Sequence, residues 1–316
     1  MSPKKLFLFC LLAAFWGGSF VAIKEVVRTI DPFVAAAARL VLASASLWIL
    51  FGILGKLKRI EWKLAWRLWV VGLFSLAIPF CFLFWGAIQI SAGLAGLLNA
   101  SVPLWTTVFI FGLFRSEERA DFSRSTGWGL LVGFVGVFLL FYPLLQVGQW
   151  IEILGATAVL VGASFYGLGS IFNRYYLTHR KDVSFSTLLV HQHSAAMLFL
   201  LFFSFFFADA SQSSWRELSS SAYPILLLIY LGVISTALAL WIYFYLIREI
   251  GSVRASAVTY LVPVFALLFD YLFFSEIPSG IQVFGAGMIL VSIFFLRARA
   301  PQAENQKESN CDKGKA

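Results

Sequence analysis

Long apolar stretches alternate with short polar connectors along almost the whole chain. Ten of them have about the length, roughly 20 residues, that an α-helix needs to cross ~30 Å of hydrocarbon. These stretches are Leu6–Val27, Phe33–Leu54, Trp66–Ile88, Leu94–Phe114, Thr126–Leu145, Ile151–Phe172, Ser184–Phe207, Tyr223–Leu246, Ser256–Ser275 and Ser279–Leu296. The pattern predicts an all-α polytopic membrane protein with ten transmembrane helices and no separate soluble domain.

The composition agrees with a bilayer as the solvent. Sixty per cent of the residues are hydrophobic and 13% are charged, whereas soluble proteins carry about a quarter charged residues. The net charge of +8 resides in short connectors between apolar runs and not on a continuous basic face, which argues against nucleic-acid binding. The first apolar run continues through Trp16 without a small-residue cleavage site, so we interpret it as a retained membrane helix.

The basic residues predict the orientation. With the N-terminus in the cytoplasm, the outer connectors contain Lys24, Arg28 and Arg216, and Arg39 lies within the second span. The other 20 of the 24 Lys and Arg residues then lie on the inner side. Because inner loops are rich in basic residues, we expect an integral protein of the cell (inner) membrane. We also expect both termini to be cytoplasmic, with residues 299–316 as a disordered cytoplasmic tail.

The second half of the chain repeats the first. Gly72 to Pro103 aligns without a gap on Gly232 to Pro263, an offset of 160 positions. An odd number of spans in each copy reverses the direction in which the second copy enters the membrane. Residues 1–147 and 148–298 are therefore predicted to form two inverted five-helix repeats, with a substrate site between them. Offsets of 150 to 160 pair Gly17 with Gly167, and Arg39 with His191.

Three segments carry a family resemblance. They are AAFWGGSFVAIK in the first span, leading to Pro32 and Arg39; ISAGLAGLLNASVPLW followed by Glu117; and IGSVRASAVTYLVPVF followed by Glu276. Over about residues 5 to 297 the chain resembles the ten-helix EamA family of the drug/metabolite transporter superfamily. The resemblance implies a secondary transporter of a small organic metabolite working by alternating access. Within the family's range, an amino-acid-like or an S-adenosylmethionine- or S-adenosylhomocysteine-like substrate fits these residues.

Arg39 is the sharpest candidate for substrate binding. An arginine in a membrane helix costs at least about 2.5–3.5 kcal/mol, so it must face a cavity, a partner or the interface. Its planar fork suits a carboxylate or phosphate. The alternatives are a static ion pair with Asp270 or Glu276, and extension of the side chain to the outer surface.

Further substrate-binding candidates flank the proline-interrupted spans or lie deep in the bundle. Pro103 and Pro263 are predicted to bend the fourth and ninth spans and to act in gating, the alternative being a role in packing alone. Aromatic rings that face the cavity would stack on a planar or cationic ligand, although an interfacial belt also explains many Trp and Tyr residues. The candidates for substrate binding are Trp16, Asn99, Ser101, Tyr166, His191, Thr259 and Tyr260.

Asp270 and His193 are the candidates for coupling. An acid in a membrane span is a functional candidate, and a histidine titrates near neutral pH. A coupling proton or a counter-substrate is thus an expected partner, beside the small-molecule substrate and the lipid bilayer. The alternatives are an interfacial, solvated Asp270 and a neutral histidine bonded to a neighbouring helix.

Two other classes of function remain open at this point. A membrane-embedded enzyme would need clustered carboxylates or histidines, and the ionisable groups in these spans are few and scattered. A non-transporting receptor would need no polar site at mid-membrane. The sequence has no nucleotide-binding loop and no metal-ligand spacing, so no cofactor is expected, and it leaves the oligomeric state undetermined.

Overall fold

The protein is described by a computed structural model that covers residues 2–57, 59–113, 124–179, 184–209, 221–250, 255 and 257–296. Three expectations fall outside these residues: the disordered tail at 299–316, the acid Glu117 at the end of the fourth span, and the outer position of Arg216.

The described residues form helices joined by short connectors. Six helices are continuous: α1 (Pro3–Val26), α2 (Pro32–Ile53), α5 (Arg124–Val147), α6 (Trp150–His179), α7 (Phe185–Phe207) and α10 (Gly280–Leu296). The other four consist of consecutive pieces. They are α3 (Trp62–Gly72, Leu73–Ala77, Ile78–Ala87), α4 (Ala92–Asn99, Val102–Leu113), α8 (Tyr223–Ile229, Tyr230–Leu238, Ala239–Ile250) and α9 (Ala257–Tyr260, Val262–Phe274).

The helices have the length and the surface of membrane spans. Among the described residues, eight helices are long and apolar enough to cross a bilayer, and two shorter apolar helices follow at Val258–Phe274 and Gly280–Ser292. Large apolar side chains point outward; Phe202, Phe205 and Phe206 on α7 are 60–82% exposed. Such an apolar exterior is what hydrocarbon as a solvent requires. The protein is a multi-pass membrane protein.

The α4 and α9 prolines lie at helix starts and not in the middle of continuous helices. Pro103 is the second residue of Val102–Leu113, and Pro263 is the second residue of Val262–Phe274. The prediction of mid-helix positions for these prolines was therefore wrong, because each follows an interruption of its span. Proline is well accommodated at the first turn of a helix, where its missing N–H would have no intrahelical partner. Each span restarts at its proline.

A widened, π-helical segment interrupts both α3 and α8. The segments, Leu73–Ala77 and Tyr230–Leu238, fall in the two sequences that align at the 160-residue offset. In each, an aligned serine donates its hydroxyl to a carbonyl four residues earlier: Ser75 to Val71 at 2.7 Å, and Ser235 to Leu231 at 3.0 Å. Segments of this kind are frequent at functional sites.

Glycines let helices from the two halves approach each other in matching ways. On α1, a β-carbon placed at Gly17 would lie 2.5 Å from the Phe265 β-carbon on α9. On α6, one placed at Gly167 would lie 2.9 Å from the Trp105 β-carbon on α4. Gly167 follows Gly17 by 150 positions, and Phe265 follows Trp105 by 160. Aligned residues therefore make the same kind of helix contact.

A second pair of aligned glycines also makes close contacts between helices. A β-carbon at Gly72 on α3 would meet the Gln192 carbonyl on α7 at 2.6 Å, and one at Gly232 on α8 would meet the Arg39 carbonyl on α2 at 2.9 Å. Gly72 and Gly232 are aligned, and each comes close to a backbone carbonyl of the helix that it faces. The pairing of Arg39 with His191 stays a prediction. A sequence offset known only within 150 to 160 cannot fix this register, because one residue rotates a helix position by 100°.

Helix α10 offers a matched test of close packing. A β-carbon at Gly285 would lie 2.7 Å from the Gly136 carbonyl on α5, whereas nothing lies within 4 Å of one at Gly287. We expect Gly285→Ala to lower the midpoint of thermal unfolding in detergent by several degrees, because overpacking costs about 1–3 kcal/mol. Gly287→Ala should leave the midpoint unchanged or raise it slightly, since alanine favours helix. Equal midpoints for the two variants would contradict the close α5–α10 approach.

Candidate functional site

A cavity of about 420 Å³ lies where most of the helices meet, and we call it the Arg39 cavity. It is lined mainly by aromatic, small and uncharged polar side chains from α1 to α4 and α6 to α9. Nine of the residues singled out in the sequence line it: Trp16, Arg39, Asn99, Pro103, Tyr166, His193, Thr259, Tyr260 and Pro263. Both helix restarts thus border one space.

Arg39 is the cation of this cavity and is 6% exposed. Its Nε donates to the Thr236 hydroxyl at 3.2 Å, and its guanidinium carbon lies 4.5 Å from the centre of the Phe80 ring. No Asp or Glu occurs among the described residues that line the cavity, and no ion pair with Asp270 or Glu276 is present in that part of the chain. Arg39 is therefore held by a hydroxyl and an aromatic face, and not by a carboxylate.

Polar groups of α7 line the same cavity as Arg39. His193 is 1% exposed and its Nδ1 lies 2.8 Å from the Leu189 carbonyl oxygen, while its Nε2 has no hydrogen-bond partner among the described residues. Gln192 donates from Nε2 to the Asn173 Oδ1 at 2.6 Å. The Ser75 hydroxyl lies 3.5 Å from the Gln192 Oε1. This wall offers both donors and acceptors to a polar molecule.

Aromatic rings form the rest of the lining. Phe80 contacts the Tyr166 ring edge-on, with centroids 6.3 Å apart, on the face of the cavity where it also contacts Arg39. Trp16 aligns with Tyr166 in the sequence repeat. Its ring packs against that of Tyr243, with centroids 5.5 Å apart. A flat or apolar portion of a ligand would therefore be in contact with rings, while its polar portion met Arg39 and α7.

Three of the predicted site residues lie away from the Arg39 cavity. Ser101 is fully buried and donates to the Leu98 carbonyl at 2.6 Å. Its hydroxyl therefore satisfies a backbone carbonyl beside the break in α4. His191 lies half-buried, and its Nδ1 accepts from the Trp69 indole at 3.3 Å. Residues two apart on a helix face different sides, so only His193 of the two histidines reaches the cavity.

Asp270, the third, lines a separate polar pocket of about 310 Å³, which we call the Asp270 pocket. Its Oδ2 accepts from the Gly93 N–H at 2.7 Å, at the start of α4, and the residue is 2% exposed. Lys24 also lines this pocket and donates from Nζ to the Ile90 carbonyl at 2.6 Å. Glu152 and Glu276 are the other charged side chains in the lining.

A tight seam between α4 and α9 separates the two spaces. A β-carbon at Gly96 would lie 2.6 Å from the Ala266 β-carbon, and one at Gly93 would lie 2.7 Å from the Asp270 Oδ2. Gly96 borders the Arg39 cavity, and Asp270 borders the other pocket. The seam is closed by small residues on one helix and a buried acid on the other.

Several polar lining residues were not candidates in the sequence analysis, among them Ser75, Asn173, Gln192 and Thr236. Serine, asparagine and threonine are common in membrane helices, and their types gave no signal by themselves. Ser75 did stand in the aligned repeat, opposite Ser235, which also lines the cavity. Within the described part of the chain, no group of three or more His, Cys, Asp or Glu side chains is arranged to hold a metal ion.

Relatives of this chain are transporters by name. It is 26% identical over 293 residues to an "Uncharacterized transporter" of Archaeoglobus fulgidus, covering 93% of this chain and 98% of the relative. It is 27% identical over 305 residues to a "Probable amino-acid metabolite efflux pump" of Escherichia coli, covering 95% and 98%. A protein of the same name from Salmonella typhimurium is 26% identical over 294 residues, covering 93% and 95%.

A solved crystal structure has the same fold. It superposes with a TM-score of 0.62 over 94% of this chain and 98% of its own, at 18% sequence identity. The model of the EamA-like transporter family matches residues 3–142 and again residues 153–298, which together include every helix that lines the Arg39 cavity. On this match, the chain belongs to the EamA-like transporter family.

Proposed function

We propose that the protein is a secondary transporter of a small organic metabolite that bears a carboxylate, an amino-acid-like molecule, and that Arg39 is its anchor. The observation that carries the proposal is a buried arginine in a 420 Å³ cavity whose described lining contains no acid. The names of the Escherichia coli and Salmonella typhimurium relatives support the amino-acid class.

The free-energy cost of Arg39 supports a binding role. A guanidinium in a membrane span costs at least about 2.5–3.5 kcal/mol, and one hydroxyl and one ring offset only part of it. Nε is engaged by Thr236, which leaves the outer nitrogens of the fork for a ligand. A carboxylate binds such a fork through two parallel hydrogen bonds. A bound substrate would therefore complete the solvation of the arginine.

The remainder of the cavity suits the rest of such a molecule. Cavities of about 300–1,000 Å³ that combine apolar walls with a few fixed polar groups are typical of small-molecule sites. Gln192 and His193 offer hydrogen bonds to a second polar group, and Trp16 and Tyr166 offer ring faces to an apolar or planar side chain. An S-adenosyl compound, with a carboxylate and an adenine, presents the same two features and belongs in the substrate panel.

Alternating access between two inverted five-helix repeats is the proposed mechanism. The matching contacts of Gly17 with Gly167, and of Gly72 with Gly232, support a two-fold relation of the halves. The closed α4–α9 seam would be the barrier on one side, and the widened segments of α3 and α8 would let these helices bend. Rocking of one repeat against the other opens one barrier while it closes the opposite one.

The Arg39 fork gives the sharpest test. We expect Arg39→Lys to weaken apparent substrate affinity about ten- to hundredfold, because a hydrogen bond between charged groups contributes about 1.5–3 kcal/mol and lysine has no bidentate fork. The measurement is counterflow in proteoliposomes with a panel of amino acids, amines and adenosyl compounds. Membrane abundance should be unchanged.

Arg28→Lys is the matched control. Arg28 is exposed in the connector between α1 and α2 and pairs with Glu25, and it borders neither cavity. Its substitution should leave counterflow intact. Normal counterflow by Arg39→Lys would exclude the bidentate anchor, and product formation without accumulation would favour a membrane-embedded enzyme instead.

The inverted arrangement predicts opposite sides for two exposed tryptophans. Trp62 opens α3 and is 70% exposed, and Trp150 opens α6 and is 74% exposed. In intact cells, a membrane-impermeant thiol reagent should label Trp150→Cys and spare Trp62→Cys, because ten crossings with an inner N-terminus place Trp62 in the cytoplasm. Permeabilised cells, in which both label, provide the control. Labelling of both in intact cells would end the inverted-repeat proposal.

A further inference from the structure

We infer that the Asp270 pocket is a second binding site, which takes a zwitterionic amino acid with its ammonium group on the Asp270 Oδ1 and its carboxylate near Lys24. The inference rests on the proposed function only for the class of ligand. The site itself is argued from the pocket's own charges, contacts and size.

Asp270 supplies the first argument. Its side chain is 2% exposed, and Oδ2 accepts from the Gly93 N–H at 2.7 Å. Ser91 and Ala92 also lie beside this carboxylate, but Oδ1 is buried and has no partner at hydrogen-bond distance and angle among the described residues. A buried carboxylate oxygen without a donor is costly, and nearly all buried polar groups in proteins are satisfied. The missing donor is a group that enters the pocket which Asp270 lines.

The other charged side chains around Asp270 indicate the charge of the ligand group that binds there. Lys24 lines the pocket from α1, and Glu152 lines it from the start of α6. Glu276 lines it from the connector just after α9. The pocket therefore carries three carboxylates and one ammonium. Arg28, just beyond the end of α1, is paired with Glu25 and lies against the Phe274 ring outside this lining. The excess of acid favours a positive group on the ligand.

Lys24 provides the complementary contact. Its Nζ donates to the Ile90 carbonyl at 2.6 Å and lies 3.3 Å from the Ile88 carbonyl. Both carbonyls lie in the connector between α3 and α4. An ammonium has three N–H donors, so one is left for a ligand. A simple cation would leave this donor unused, whereas a zwitterion places its carboxylate there and its ammonium at Asp270.

Size and ligand geometry argue against a bare ion. The pocket has about 310 Å³, which is room for a small organic molecule. Metal cations of oxygen sites need six or more ligands at fixed distances, and no metal-holding group of acids or histidines is found in the described chain. An alkylammonium needs only a few acceptors, such as the Asp270 Oδ1.

The Asp270 pocket and the Arg39 cavity lie along the same helices. On α1, Phe20 borders the cavity and Lys24 the pocket, one turn further on. On α4, Asn99 borders the cavity and Ser91 the pocket, which corresponds to about 12 Å of helix rise. The two spaces are thus consecutive positions on one route, separated by the α4–α9 seam. A ligand released from one would meet the other.

Charge-selective thiol modification tests the pocket directly. Ile277 lines it and is 76% exposed, so Ile277→Cys places a thiol at its mouth. The background is a chain in which Cys10, Cys81 and Cys311 are alanine. The measured quantity is the rate of modification by ethylammonium methanethiosulfonate divided by the rate with the ethylsulfonate reagent. We expect this ratio to fall roughly tenfold after Asp270→Asn. Glu61→Gln, an exposed acid outside both pockets, should leave the ratio unchanged.

Ligand protection identifies the occupant in the same Ile277→Cys protein. A mixture of glycine, alanine and leucine should slow modification severalfold, and their N-acetyl derivatives, which lack the ammonium, should not. Asp270→Asn should abolish the protection. Equal protection by the N-acetyl derivatives, protection by sodium chloride alone at matched ionic strength, or no protection in the intact protein would each overturn the inference. These outcomes are all measured in the protein that keeps Asp270, so they hold even if Asp270→Asn fails to fold.

Arg39→Lys separates this site from the proposed function. If protection persists in Arg39→Lys while counterflow is lost, both proposals stand. If counterflow fails in every variant and protection persists, the transport proposal fails and the Asp270 site remains. Protection that disappears with Arg39→Lys but survives Asp270→Asn places the ligand in the Arg39 cavity alone and refutes a second site.

Discussion

A guanidinium group inside a bundle of apolar helices has to be solvated by the protein, and much of the architecture around the Arg39 cavity follows from that requirement. Thr236 accepts from Nε and Phe80 lies under the plane of the group. Thr236 is available because it sits in the widened segment of α8, where its hydroxyl also donates to the Leu231 carbonyl five residues earlier. The irregular backbone and the charge therefore belong to one arrangement.

That arrangement is possible because the irregular segments line internal space. Backbone groups freed from regular helix pairing are tolerated at membrane depth where they border a cavity or are satisfied by side chains. The α4 break is satisfied in this way by the Ser101 hydroxyl, and the α3 segment by Ser75. Cavity, proline restarts and π-helical segments thus occur together near the middle of the protein.

Small residues determine which helices approach. Gly96 lets α4 contact Ala266 on α9, and Gly136 and Gly285 bring α5 and α10 together. In hydrocarbon the hydrophobic effect does not hold helices to each other, so close van der Waals packing at small residues takes its place. The same contact that closes the α4–α9 seam also divides the polar interior into two compartments. A carrier in which that seam separates would join them.

Sequence alone determined the class of the molecule. A polytopic helical membrane protein with a duplicated half was predicted from the long apolar stretches, the charged connectors and the Gly72–Pro103 repeat. The family was indicated by AAFWGGSFVAIK and the two other segments that resemble it. The sequence also singled out Arg39, Trp16, Tyr166 and His193, because charged and ring-bearing residues stand out among aliphatic ones. Only the tertiary structure decided that Asp270 lies apart from Arg39, that Gln192 lines the cavity beside His193, and that Pro103 begins a helix. These outcomes depend on helix rotation and on contacts between distant residues, which a one-residue uncertainty in register is enough to reverse.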